Sequence, residues 1–186
     1  MSENNLLKMV EEYQTTYYSQ NRKNFFFKSK QKMECASQIS QEFDINHLLE
    51  KTVCLVPDSN RVYFDYTVFK LYGNPENYML VVNYVLSVLT HCINTFGEYE
   101  LHVNLNSFTI TAAERYRTVI EMFCNECLKN HTRYASKLIK MYIYNSPNMI
   151  EHVTGLFGNL IDPIIRERMV LYNKEETGTK IEELFR

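Results

Sequence analysis

The chain has 186 residues, 45% of them apolar and 23% charged, with a net charge of −2; one globular domain of that size buries roughly 70% of its unfolded surface, and the composition fits neither disorder nor a membrane-embedded body. Twenty basic residues against 22 acidic ones leave no cationic excess for coating a nucleic acid, and five Gly with four Pro leave no room for Gly-rich phosphate loops. Five Cys cannot all pair, and the polar start Met1-Ser2-Glu3-Asn4-Asn5 is unlike a signal sequence, so a cytoplasmic protein with reduced thiols is expected.

Residues 5–18 read as an amphipathic helix with Leu6, Met9, Val10, Tyr13 and Tyr17 on one side. Next comes Arg22 to Lys32, which holds five basic residues, no acid, and Phe25-Phe26-Phe27 in its middle. Residues 33–51 look helical with a break near Asp44. Val53–Val56 and Arg61–Phe69 are β-rich runs around Pro57-Asp58-Ser59-Asn60, which is hairpin chemistry. Pro75 opens a helix reaching about Asn94. Its most apolar run, Tyr78 to Leu89, is interrupted by Asn83 and Ser87 and falls short of the roughly 20 residues a membrane span needs.

Leu101, Val103 and Leu105 alternate with polar residues, as in a strand. Thr111 to Glu114 has the pattern of a capping box, starting a helix whose stripe is Tyr116, Val119, Ile120, Phe123 and Cys127. Leu138–Asn145 is a second strand, with Ile139, Met141 and Ile143 on one face and Lys140, Tyr142 and Tyr144 on the other. Ser146-Pro147 and Asp162-Pro163 start helices, Met169–Tyr172 is a strand, and Lys180–Phe185 is a closing helix. Strand–helix–strand–helix–strand over 101–172 implies parallel strands with crossover helices, an α/β class.

Tyr134-Ala-Ser-Lys-Leu-Ile-Lys-Met-Tyr-Ile-Tyr-Asn-Ser-Pro147 resembles the central signature of the CRAL-TRIO lipid-binding family. Leu160 to Pro163 with Arg166 to Tyr172, Val103 to Phe108, and Asp58 to Val62 are similar to three further pieces of that family, in its order. Ala135, Asn104 and Ser107 stand where the family usually has Pro, Asp and Gly. Residues 1–50 do not match its amino-terminal helical module, so they form an amino-terminal helical and basic-aromatic extension ahead of a CRAL-TRIO-like domain over 51–186. The resemblance implies a mostly parallel sheet with helices on one face and, on the other, a lid helix closing over an apolar cavity. It implies binding or transfer of a lipid or other small hydrophobic molecule without covalent chemistry. The ligand would then rest on Leu101, Val103, Leu105, Met141, Ile143 and Asn145, under Met149, Val153, Phe157 and Leu160 of the lid. Periodicity alone favours a dry core, since apolar stripes are usually core, and hence an interaction module that kept the fold with a filled cavity; the resemblance turns the balance toward a cavity. No residue matches the family's phosphoinositide headgroup site, and that activity is not carried over.

Cys124-Asn-Glu-Cys127 with His131 lacks the further ligands that zinc requires and reads as core thiols. His102 on the polar strand face could titrate, but a His satisfied beneath a covering helix is the commoner outcome. No nucleophile elbow, P-loop or dinucleotide fingerprint occurs, so no catalytic residue, cofactor or metal is assigned. The basic-aromatic stretch, with Lys23, Phe25, Phe26, Phe27, Lys28, Lys30 and Lys32, reads as a contact for an anionic membrane surface or else as a hydrophobic turn among ordinary solvated lysines.

Overall fold

The computed structural model describes residues 3–21, 27–129, 132–146 and 157–186. Helix α1 (Glu3–Gln20) buries Val10 and Tyr17, and α2 (Lys28–Glu42) buries Cys35, Ala36 and Ile39 against them. At Asp44 the carboxylate accepts from the Asn46 amide at 2.9 Å, which ends one helix and starts α3 (Ile45–Thr52). Strands β1 (Val53–Leu55) and β2 (Arg61–Asp65) form the expected antiparallel hairpin, with Asp58 at φ +52 in its turn.

The β-rich run 61–69 does not stay extended beyond Asp65. Asp65 accepts from the Thr67 amide at 2.7 Å and caps α4 (Tyr66–Tyr72), whose Tyr66, Phe69 and Tyr72 fall on one helical face and are all buried. Packing overrides the β-propensity of those aromatic residues. Gly73 is required just after the helix, because a Cβ there would lie 2.5 Å from the Phe69 ring.

Helix α5 (Tyr78–Phe96) is longer than the apolar run read from sequence, since Cys92, Ile93 and Phe96 extend it without a charge; by length and composition its 19 residues could cross a membrane. In the fold it is a core helix, with Val81, Val82, Val85, Leu89, Cys92 and Ile93 buried. Strand β3 (Tyr99–Asn104) leads to α6 (Ile110–Arg115) and α7 (Arg117–Cys127). The cap of α6 is Thr109, whose hydroxyl accepts from the Ala112 amide at 3.2 Å, not Thr111; Glu114 pairs with Arg117 instead of reaching back. The chain enters the helix two residues earlier than the Thr-x-x-Glu pattern suggests.

Helix α8 (Arg133–Lys137) runs into β4 (Leu138–Tyr144), and a 3-10 turn (Gly158–Leu160) and α9 (Pro163–Arg166) precede β5 (Met169–Leu171). The last helix, α10 (Lys174–Leu184), starts six residues before the expected Lys180. Asn173 and Glu176 form a reciprocal capping box there, a signal masked in the sequence by Gly178 within the helix. The five strands lie in the order β1-β2-β3-β4-β5, antiparallel only at β1/β2, which is the expected mixed α/β architecture. A register shift at Tyr99/Glu100 sets Leu138 opposite Tyr99 and Lys140 opposite Glu100. Leu138 therefore joins the core, and Ile139, expected beside Met141 and Ile143, falls at the irregularity.

Candidate functional site

Strand alternation gives the sheet two unlike faces. Toward α4, α5 and α7 it presents Val53, Phe64, Leu101, Val103, Met141, Ile143 and Met169. Opposite them stand Tyr66 and Phe69 of α4, Val81, Val82 and Val85 of α5, and Val119, Ile120, Phe123 and Cys124 of α7, with Phe108 and Tyr116 beside them. Between these walls is a cavity of about 200 Å³, lined by carbon and sulfur with no polar atom among the described residues. Tyr116 turns its hydroxyl away, donating to the Lys70 carbonyl at 3.4 Å. Such a surface holds an apolar molecule by burial and shape alone.

The structure brings Leu101, Val103, Leu105, Met141, Ile143 and Phe157 together on this one cavity. Leu160 packs against both apolar clusters beside it, and Ile161 occupies the wall. Asn145 lies elsewhere, at φ +52, with its amide N–H donating to Thr177 Oγ1 at 2.7 Å and its side chain donating to Asn104 Oδ1 at 2.8 Å. Met149, Val153 and the rest of the expected lid over 147–156 lie outside the described residues, as does His131. The α4 side chains were missed by sequence reasoning because their run reads as strand; the α7 stripe was visible as core spacing.

The other face is polar and closed. His102, 4% exposed, stacks on Tyr142 at 4.7 Å and is hydrogen-bonded through Nδ1 to the Tyr144 hydroxyl at 2.8 Å, while Tyr172 stacks on Tyr144 at 5.6 Å. Nε2 of His102 lies 3.4 Å from Glu100 Oε2, and Arg61 approaches the same carboxylate at 3.5 Å. Burial, and secondarily the Arg61 charge, lower the imidazole pKa to about 4, so the ring is neutral at pH 7. Helix α10 lies over this face, with Leu184 buried alongside Tyr63 and Tyr144.

Cys124 lies on the cavity wall and Cys127 in the core behind it, and burial pushes both thiols up, Cys124 to about 12. Neither is an activated nucleophile. Phe27, 60% exposed, precedes α2, whose opening turns carry Lys28, Lys30 and Lys32; Lys23, Phe25 and Phe26 lie outside the described residues.

A search of curated proteins returns no match to this chain. A family model, that of the CRAL/TRIO domain, matches residues 47–186, three quarters of the chain, which includes every strand among the described residues and leaves out the amino-terminal helices α1 and α2. The chain belongs to this family. Its domains bind lipids or other small hydrophobic ligands in general, and its members are generally binding or transfer proteins rather than enzymes.

Proposed function

We propose that this CRAL/TRIO protein binds a small hydrophobic ligand between the aliphatic face of its sheet and helices α4, α5 and α7. It would act without covalent chemistry, in the cytoplasm and at the surface of anionic membranes, where the amino-terminal basic-aromatic stretch makes contact. The apolar cavity of about 200 Å³ carries the reading. Its apolar walls are left without packing partners, and an apolar occupant that covers them recovers about 25 cal/mol per Å² removed from water. A cavity of about 150 Å³ with similar walls takes up benzene, so the space here suits a compact hydrocarbon moiety.

The same volume favours a second reading, an interaction module whose cavity is vestigial. Pockets for drug-sized ligands enclose about 300–1,000 Å³, more than this space offers. Organic extraction of the purified protein followed by mass spectrometry separates the two. A stoichiometric apolar molecule, and a melting temperature that falls once it is removed, support ligand binding. A protein that carries no such molecule and gains no stability from added fatty acids, sterols or isoprenoids supports the interaction module.

A further inference from the structure

We propose that Lys32, Lys70 and Arg115, one each from α2, α4 and α6, form with Phe27 and Lys28 a docking surface for an anionic lipid bilayer, set against one wall of the apolar cavity. The sequence shows only the first part of this surface, because Lys70 and Arg115 lie far from it along the chain. The fold gathers them. Arg115 Nε donates to Ser29 Oγ at 2.9 Å, which ties α6 to the first turn of α2, and Lys70 Nζ donates to Ser107 Oγ at 2.6 Å. Both partners are neutral hydroxyls, so these bonds hold the two cations in place without cancelling their charge. Lys32 senses that charge: burial, then Arg115, Lys70 and Lys28, lower its pKa. Acids stand around these cations as well: Glu114 adjoins Arg115 and pairs with Arg117 at 3.0 Å. Glu34 pairs with Lys30 at 3.9 Å, and Asp65 and Glu11 act on Lys70.

Two features select a bilayer over a soluble anion. The ring of Phe27 is 60% exposed beside Lys28, where it has no use for a free phosphate but can enter the interfacial region of a membrane. The cations also spread across three helices instead of converging on one point, which suits a field of headgroups. Their position relative to the cavity gives the surface a use. The Arg115 guanidinium lies 5.8 Å from the Tyr116 ring and Lys70 Nζ lies 5.9 Å from the Tyr66 ring, and both rings line the cavity. Docking through these cations would hold that wall toward the bilayer.

This inference deepens the membrane part of the proposed function, and its test separates the two. Sedimentation of the full chain with phosphatidylcholine vesicles, with and without phosphatidylserine, is measured at low salt for wild type and for Lys70→Gln/Arg115→Gln, which leaves residues 22–32 untouched. Each cation near an anionic leaflet is worth about fivefold in affinity, so the double variant is expected to bind phosphatidylserine vesicles about thirtyfold more weakly. The charge-retaining pair Lys70→Arg/Arg115→Lys is expected to bind as wild type, as is the remote control Lys137→Gln/Lys174→Gln. If wild type ignores phosphatidylserine, the membrane reading itself fails. If wild type binds and the double variant binds equally well, the amino-terminal stretch alone makes the contact and the three-helix surface is overturned. Equal loss in the charge-retaining pair overturns it too, because packing rather than charge would then govern binding. So does displacement by inorganic phosphate at constant ionic strength, which would reveal a discrete anion site.

Discussion

On one face of the sheet, Leu101 and Ile143 look across open space at Tyr116 and Phe123; on the other, one strand position further on, His102 and Tyr144 are locked by a 2.8 Å hydrogen bond and stacked rings. The same strands build both. Buried polar groups favour directional bonds, and the Nδ1–Tyr144 bond with the stacked rings draws these layers together even though Nε2 of His102 makes no hydrogen bond. Carbon walls meet no such demand, so volume survives between large rings that cannot interdigitate fully. One face is thus a closed scaffold and the other the wall of an apolar cavity, the proposed container, and each assignment can be broken separately.

The largest expected effect belongs to the closed face. His102 titrates near pH 4 in the folded protein against an ordinary value of 6.5, so folding favours the neutral ring. The sign follows: its contribution is fully present above pH 6.5 and is lost as the pH falls toward 4, by about 3 kcal/mol. Urea unfolding at pH 7 and pH 4 should show a larger acid loss in wild type than in His102→Phe. Equal losses would mean that the buried imidazole is not what makes this face acid-labile.

A smaller effect is expected at Thr177, which is buried and accepts the Asn145 amide at 2.7 Å. Thr177→Val keeps the shape and orphans that amide, costing about 1–3 kcal/mol. Bound apolar ligand should be unchanged, since the contact lies on the scaffold side. Loss of ligand in this variant would show that the two faces are coupled through the end of β4.

Much of this division is legible in the sequence. The period-two alternation of Leu101–Leu105 and Met141–Tyr144 separates aliphatic from aromatic and polar faces, and Asp44 and Asp162-Pro163 mark real helix starts. The Tyr134–Pro147 signature leads to the family that the comparison shows. What escapes is tertiary. Tyr66 and Phe69 belong to a helix because Asp65 caps it and the core receives their rings; the cap is one polar residue inside a β-rich run, and the packing has no local signature. Ile139 loses its place to Leu138 through a single register shift, which alternation cannot reveal. Lys70 and Arg115 are 45 residues apart in sequence and meet the field of Lys32 only after three helices pack.

The open face is tested most directly at Ile143, which is 3% exposed and lines the cavity. The chain has no Trp, so Ile143→Trp also supplies a single indole reporter inside the space. The measurement is ligand stoichiometry by extraction and mass spectrometry, taken with the melting temperature of the same preparation. Filling existing space should abolish apolar-ligand binding, leave the melting temperature within a few degrees of wild type, and give a blue-shifted indole emission. A drop in stability of about 1–3 kcal/mol, as overpacking a dry core produces, with no ligand lost, would contradict the cavity.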